Sequence, residues 1–483
     1  MASITILGLG PGDPVHLTRE AWDTLSGANE VYLRTVRHPC VSALPRAPRL
    51  HAFDAVFDQV GNFAVVHETI ANEVVALGRR VEGVIYAVPG HPRVGEATTT
   101  RILEIAAVEG LPVRIVPGLS FVEPVLTALG IDAVNGLQIS DAIEIAGQHH
   151  PALDPDRPAL LAQVYSRALA LRVRQTLMNQ YSPEHEVTLV HAAGMPDQRV
   201  TRLPLAEIDR RDDLDHLTTL YVPALSRAGG FESFQEVIAH LRAPEGCPWD
   251  REQTHRSLRT HLLEETHEVL EAIDLDDMQA LREELGDLLL QVVLQTQIAV
   301  DEEAFRMTDV IAGIRDKLIR RHPHVFGDVR VSGSDDVKRN WETIKQSEKA
   351  ERGAHESILD GLPASLPALA QADAYGTRAA RVGFDWPDVS GVLDKVAEEV
   401  RELAAVSDAR LREAEYGDVL FSLVNLARWL GIDPESALRA ANARWAGRFR
   451  AVERSAREQR RSLKEMTLDE LNRLWDAAKA QER

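Results

Sequence analysis

LLEETHEVLEAI (Leu262–Ile273) and REELGDLLLQVV (Arg282–Val293) lie a few residues apart, and each places apolar and acidic side chains at helical spacing. Both recur about 130 residues later as VAEEVRELAAV (Val396–Val406) and EAEYGDVLFSLV (Glu413–Val424). The carboxylates of the first copy are Glu265, Glu268, Glu284 and Asp287; those of the second are Glu399, Glu402, Glu415 and Asp418. Two copies are too few for a solenoid, so this reads as a duplicated helical unit.

The same periodicity runs outward from these segments. Leu258–Ile273, Met278–Ile298, Val310–Arg321, Leu393–Val406, Leu411–Leu430, Pro434–Arg457 and Leu468–Ala480 all read as helices. From about Phe234 the chain is therefore all-α. Pro244–Glu252 reads as its lead-in loop, and Gly327–Asp336 and Ala354–Pro367 as connectors. Leu262, Thr266, Val269 and Ile273 form one stripe, and Leu285, Leu288, Leu289 and Val292 the expected packing face of the next helix. Gly286 and Gly417, each beside the aspartate, are expensive mid-helix residues. They point to close helix approach or to room for a ligand.

Residues three apart on a helix share a face, roughly 5–6 Å between Cβ atoms. Two such helices packed antiparallel bring four carboxylates to one spot, which is costly unless a cation neutralises them. Mg²⁺ suits oxygen donors of this kind and commonly shares its shell with phosphates. Acidic pairs at this spacing are ordinarily a solvated face; a second copy with the same layout argues against that here. Cations follow each cluster at i,i+4: Lys317 with Arg321, and Arg444 with Arg448. Trp341 and Trp475 are candidates for stacking on a base.

Upstream of Pro223 the texture changes. SITILGLG, GVIYAVPG, PVRIVPG, EVTLVHAAG and HLTTLYVPA read as buried strands ending at turns, with helices such as Thr18–Ser26, Ala97–Val108 and Arg167–Asn179 between them. That alternation predicts an α/β domain with a largely parallel sheet. Small-residue loops close four strands: Gly8–Asp13, Pro89–Glu96, Pro117–Ser120 and His191–Asp197. The first is not the dinucleotide fingerprint, since Asp13 stands where the third glycine belongs.

The 483 residues carry a net charge of −20, with 45% apolar and 27% charged residues. Such a chain is globular and repels nucleic acid and anionic membranes. Two cysteines without metal spacing, no signal-like start and no long apolar run fit a cytoplasmic, non-membrane protein.

GCPWDREQTH, LLEETHEVLEAI, EELGDLLLQVV, KLIRRHPHVFGDV, NWETIK, RVGFDW and GDVLFSLVNLARWLGIDPESALRAANARW together resemble the MazG family of nucleoside triphosphate pyrophosphohydrolases, from about Glu236 to Trp475. The resemblance implies an all-α homodimer that binds metal through the eight carboxylates and splits NTPs or dNTPs between the α and β phosphates. It ranks Glu399, Glu402, Glu415 and Asp418 first. Nucleotide contacts are implied at Lys395, Arg444, Arg448 and Trp475, and Lys317 and Arg321 are their candidates in the first copy. Where Arg444 stands the family often has Lys.

The N-terminal loops resemble the tetrapyrrole methylase family of S-adenosylmethionine-dependent enzymes over roughly residues 1–225. Pro11, Gly90, His91, Val94, Ser120 and Gly194 match its cofactor-contacting positions. The family commonly has GDP where this chain has Gly90-His91-Pro92, a departure that bears on substrate and activity.

The expected organisation is a methylase-like α/β domain over 1–225 and two MazG-like helical domains over 234–350 and 365–483. The alternative is a methyltransferase whose helical half dimerises or senses nucleotide, and a non-enzymatic helical protein is a third. The N-terminal domain stays open between catalysis, cofactor-dependent regulation and a structural role.

Overall fold

The strand signals at the start become neighbours because each ends in a tight turn that returns the chain through a helix. In the computed structural model, which describes residues 2–46, 48–59, 63–351 and 357–481, the chain forms two units, Met1–Arg251 and Glu252–Arg483. In the first, strands β1 (Ile4–Gly8), β2 (Glu30–Leu33), β3 (Arg49–Ala52), β4 (Val84–Val88) and β5 (Val113–Val116) make a parallel sheet in the order β3-β2-β4-β1-β5. Alternate residues of β1 serve opposite faces. Ile4 and Ile6 pack under α3 (Phe63–Gly78) and α4 (Ala97–Glu109), while Leu7 joins Ala21 and Leu25 of α1 (Arg19–Ser26). The short α2 (Asp54–Gln59) precedes α3. Thr18 caps α1 by accepting from the Ala21 amide.

A second sheet follows. It contains β6 (Gln138–Asp141), β7 (Ala159–Ala162), β8 (Glu186–His191), β9 (Arg199–Pro204) and β10 (Thr218–Val222), in the order β6-β7-β10-β8-β9. Here β6 and β7 are parallel and all other pairs antiparallel. The expectation of one largely parallel sheet thus holds for the first sheet only. A short β8–β9 connection can join only antiparallel neighbours, because a parallel pair needs a long crossover. Helix α5 (Val122–Leu129) sets Val125 against Leu160 and Val190 on one face. Helices α6 (Ala142–Ala146) and α7 (Arg167–Leu177) fill the other. Asp156 accepts hydrogen bonds from the Gly229 and Gly230 amides and the Ser233 hydroxyl, which fixes the start of α8 (Phe231–Arg242). The lead-in loop contains one helical turn, α9 (Pro248–Glu252).

The second unit is helical throughout. Helices α10 (Arg259–Asp274) and α11 (Met278–Asp301) form an antiparallel pair. Asp276 at φ 52° makes the turn, and Asp277 caps α11 by accepting from the Gln279 and Ala280 amides. Then come α12 (Met307–Arg321), α13 (Pro323–Phe326), α14 (Ser334–Glu351) and α15 (Ala368–Arg381). The second pair, α16 (Val389–Ala405) and α17 (Ala409–Trp429), is capped alike by Asp388 and Asp408. Helices α18 (Pro434–Glu458) and α19 (Leu468–Gln481) close the unit. The expected connector Gly327–Asp336 is already helical from Ser334. Within the other, residues 354–356 lie outside the described ones and 357–367 form turns. Among the described residues no helix is long and apolar enough to cross a membrane.

The expected packing face is corrected. Leu285, Leu289 and Val292 are 49%, 42% and 41% exposed, and Leu262 and Ile273 are exposed too. The buried face of α11 is instead Gln291, Val293, Leu294, Thr296, Ile298 and Ala299. Among the described residues nothing covers the other stripe fully. The reading of Gly286 and Gly417 as points of close helix approach is likewise not met within one chain, since a Cβ at either would meet nothing within 4 Å.

Gly8 is different. A Cβ there would come within 2.5 Å of the Gly90 carbonyl oxygen and 2.6 Å of the Gly118 amide nitrogen. Gly8→Ala should therefore destabilise the first unit by roughly 1–3 kcal/mol or more. Gly110→Ala, at φ 66° but facing open space, should cost only about 1 kcal/mol. Urea unfolding of the two variants checks the ranking.

Candidate functional site

Acidic side chains on α10 and α11 point toward each other because the helices are antiparallel and the spacing keeps each pair on one face. Carboxylate oxygens of Glu265, Glu268 and Glu284 lie within 4.8 Å of one another, and so do those of Glu399, Glu415 and Asp418 on α16 and α17. Each copy thus draws three of its four expected carboxylates into a tight group, and the fourth differs. Asp287 stands just outside the first group and Glu402 outside the second, both near enough to act on their neighbours.

The crowding shows in the acidity of these groups. Loss of surrounding water pushes the Glu265 carboxyl above its ordinary range, and Asp287, Glu268 and Glu284 push it further. Desolvation, then Glu268 and Asp287, do the same to Glu284. In the second copy, desolvation followed by Glu402, Asp418 and Glu399 raises Glu415, with Lys395 pulling the other way. In each copy, three hard oxygen donors drawn this close are a donor set a divalent cation fits.

The copies differ in their own cations. Lys395 Nζ lies 2.8 Å from Glu399 and 3.1 Å from Glu398, and those carboxylates hold its ammonium well above the ordinary lysine range. Glu399 is buried. The corresponding first-copy position is His261, whose ring faces Glu264 at 3.5 Å.

The other expected nucleotide contacts stand elsewhere on the bundle. Arg321 is held by Glu348, at 2.5 Å, and lies over the Trp341 ring; Arg320 shares that carboxylate. The two guanidiniums pull the Glu348 carboxyl down to about 2. Lys317 is exposed on the same helix. Arg448 lies over Trp475, which tilts against Trp445, itself stacked on Phe449. Arg444 is exposed one turn earlier on α18. An anchor beside the second copy escaped the sequence reading. Asp385 accepts both Arg428 terminal nitrogens, at 2.9 and 2.6 Å, and the Trp429 indole N–H at 3.0 Å. Its one signal was a lone Asp in RVGFDW.

In the first unit three glycine loops meet. The Gly10 and Gly90 amides donate to each other's carbonyls, and Gly8 touches both Gly90 and Gly118. Pro11 sits in the first loop, where Gly12 lies against Met195. Gly194, at φ 74°, packs on His16 and Pro124. His91 and Val94 form a turn in which the Val94 amide donates to the His91 carbonyl. The Ser120 hydroxyl donates to Glu123 at 2.6 Å, which steadies its loop. The loops expected to hold the cofactor therefore converge.

This architecture defines a fused protein, a glycine-looped α/β unit followed by an acidic helical unit with two carboxylate centres. The family described as Tetrapyrrole (Corrin/Porphyrin) Methylases matches residues 3–209, and the MazG nucleotide pyrophosphohydrolase domain matches 253–326. YabN of Bacillus subtilis, an uncharacterized protein, is 41% identical over 489 residues, 99% of each chain. The nucleoside triphosphate pyrophosphohydrolase/pyrophosphatase MazG of Thermotoga maritima is 45% identical over 52% of this chain and 95% of its own. The Escherichia coli nucleoside triphosphate pyrophosphohydrolase is 46% identical over 51% and 95%. A uroporphyrin-III-C-methyltransferase structure from Thermus thermophilus aligns with 46% of this chain and 93% of its own, at 25% identity and a TM-score of 0.35. The chain belongs to the MazG family, in the form that carries a tetrapyrrole methylase domain ahead of the helical one.

A carboxyl with a raised pKa keeps its proton more readily in the folded chain than in the unfolded one. Its contribution favours folding at low pH and is lost as pH rises through the carboxylate range. In metal-free protein, Glu415→Gln should therefore melt above the parent near pH 7, with the gap closing toward about pH 4. Mg²⁺ should raise the parent's melting temperature more than the variant's. Thermal unfolding in EDTA and in Mg²⁺ across this range checks both.

Proposed function

We propose that the helical unit hydrolyses nucleoside triphosphates to nucleoside monophosphate and pyrophosphate with Mg²⁺, chiefly at its second carboxylate centre. The observation that carries this is the gathering of Glu399, Glu415 and Asp418 within 4.8 Å, with Lys395 2.8 Å from Glu399. Mg²⁺ at such a centre supplies a grip on phosphate oxygens and makes a water more acidic. Glu399, Glu415 and Asp418 would hold it. Glu402, outside the tight group, is free to orient and deprotonate the attacking water. Lys395 supplies positive charge where pyrophosphate departs, and Arg444 and Arg448 offer guanidiniums for the phosphate chain. Trp475 offers a ring for the base.

Residues 234–350 and 365–483 act as two such centres on this reading, and His261 stands in the first where Lys395 stands in the second. Glu399→Gln or Glu415→Gln should cut Mg²⁺-dependent pyrophosphate release at least about a hundredfold, as loss of an ion ligand does. Glu265→Gln should have a smaller effect. Pyrophosphate release measured on all eight NTPs and dNTPs, with and without Mg²⁺, checks this. No release from any of them would sink the proposal.

The uncovered apolar stripe supports a second element of the reading, a homodimer through the helical half. Leu285, Leu289, Val292, Leu420, Phe421 and Leu423 are all at least 39% exposed, and apolar side chains grouped on an exposed surface mark protein–protein contact sites. Leu289→Arg combined with Phe421→Arg should shift the protein toward monomer in analytical ultracentrifugation. A parent that sediments as a monomer would remove this element.

For the first unit we propose S-adenosylmethionine binding where the glycine loops converge, at Pro11, Gly90, His91, Val94, Ser120 and Gly194. The methylase family match over 3–209 supports it.

A further inference from the structure

One aromatic side chain on α18 has no part in the function proposed above, and it does not serve the core. Trp445 is 57% exposed, although an indole left in water forgoes most of what its burial would contribute. The ring is nevertheless held. Phe449, one turn further on, stacks on it with ring centres 5.1 Å apart and planes 6° apart. Trp475 on α19 meets it at 5.8 Å, tilted by 51°. Neighbours on two sides thus fix the plane of the indole, and the surface they leave uncovered faces solvent.

The charge around this ring is opposite to that of the chain. Between Ser436 and Val452, α18 carries Arg439, Arg444, Arg448 and Arg450 and no acid, in a protein of net charge −20. Asp274 on α10 engages Arg439 at 2.9 Å. Arg448 lies over the Trp475 ring, 5.8 Å from its centre, and so covers one face of it. Arg444, the residue before Trp445, is exposed and makes no hydrogen bond or ion pair among the described residues. Successive residues of a helix point about 100° apart. Trp475 nevertheless touches both Arg448 and Trp445, so the stripe of Arg444 and Arg448 and that of Trp445 and Phe449 border one surface. An open ring and a free guanidinium on one surface fit a guest that is flat at one end and anionic at the other.

We propose that Trp445 is the stacking platform for the base of the nucleoside triphosphate and favours purines over pyrimidines. The base lies on the open indole while Arg444 takes phosphate. Trp475 adds a second ring at an angle to the first and holds Arg448. A bicyclic base covers more of an indole than a monocyclic one and stacks on it more strongly. Naming the guest a triphosphate rests on the hydrolase reading given above; the stacking itself needs no hydrolysis.

Steady-state hydrolysis of ATP, GTP, CTP and UTP by the full chain tests it, with Trp445→Leu and Trp445→Phe beside the parent. In the leucine variant KM for ATP and GTP should rise at least about fivefold. KM for CTP and UTP should rise less, and kcat should stay near the parent's. The phenylalanine variant keeps a ring and should recover most of the loss. Inhibition by inorganic tripolyphosphate, which has no base, should be equal in all three proteins. Binding is read separately, since AMP should quench the parent's tryptophan fluorescence and quench the leucine variant's far less. A leucine variant that loses all four nucleotides and tripolyphosphate by one factor would overturn the platform, because the ring would then only pack. So would a leucine variant that turns monomeric in analytical ultracentrifugation with base preference unchanged, the mark of a ring covered by a second copy. AMP quenching that is absent from the parent, or that survives Trp445→Leu, would overturn it as well. If the parent hydrolyses no nucleotide while AMP quenching depends on Trp445, the hydrolase reading falls and the platform stands.

Discussion

Repulsion among carboxylates is the constraint around which the helical unit is organised. Two helix pairs each drive acidic side chains into a space where they crowd and lose water, and nothing in the acids themselves favours that approach. The apolar contacts and caps must hold it. Asp277 and Asp408 start the second helix of each pair at a fixed residue, and the short turns leave little freedom in register. Asp385, gripping Arg428 and Trp429, anchors the second pair from the side. The scaffold stores unfavourable charge that a divalent ion, on the proposed function, would relieve. Chemistry and stability would then pull in opposite directions at the same atoms.

The sequence carried much of this because periodicity and capping are local. Strands ending in Gly or Pro turns and helices opening on Asp or Thr stand close to where they were expected. What escaped was decided by tertiary context. β3 has every residue exposed and no apolar alternation to read. β7, ALLA, is as good a helix as a strand until the sheet claims it. α14 is mostly polar and opens within the last three residues of what reads as a connector. In the site, i,i+3 spacing shows that four carboxylates share a region. Rotamers decide which three meet, and they leave out Asp287 in one copy and Glu402 in the other. The ion pair of Glu96 with Arg34 was not legible at all, since Arg34 lies 62 residues upstream, just past β2.

The α/β unit solves a different problem, how to bring backbone from separate strands into contact. Gly8 and Gly118 leave no space for a side chain against Gly90, and the Gly10–Gly90 amide exchange locks two loops together. Backbone groups are thereby presented at the strand ends.

The open apolar stripe on the helices has a consequence for behaviour in solution. If a second copy covers it, as proposed, the folded state depends on how often copies meet, and stability becomes a property of the population rather than of one molecule. Dilution then acts like a mild denaturant on this unit.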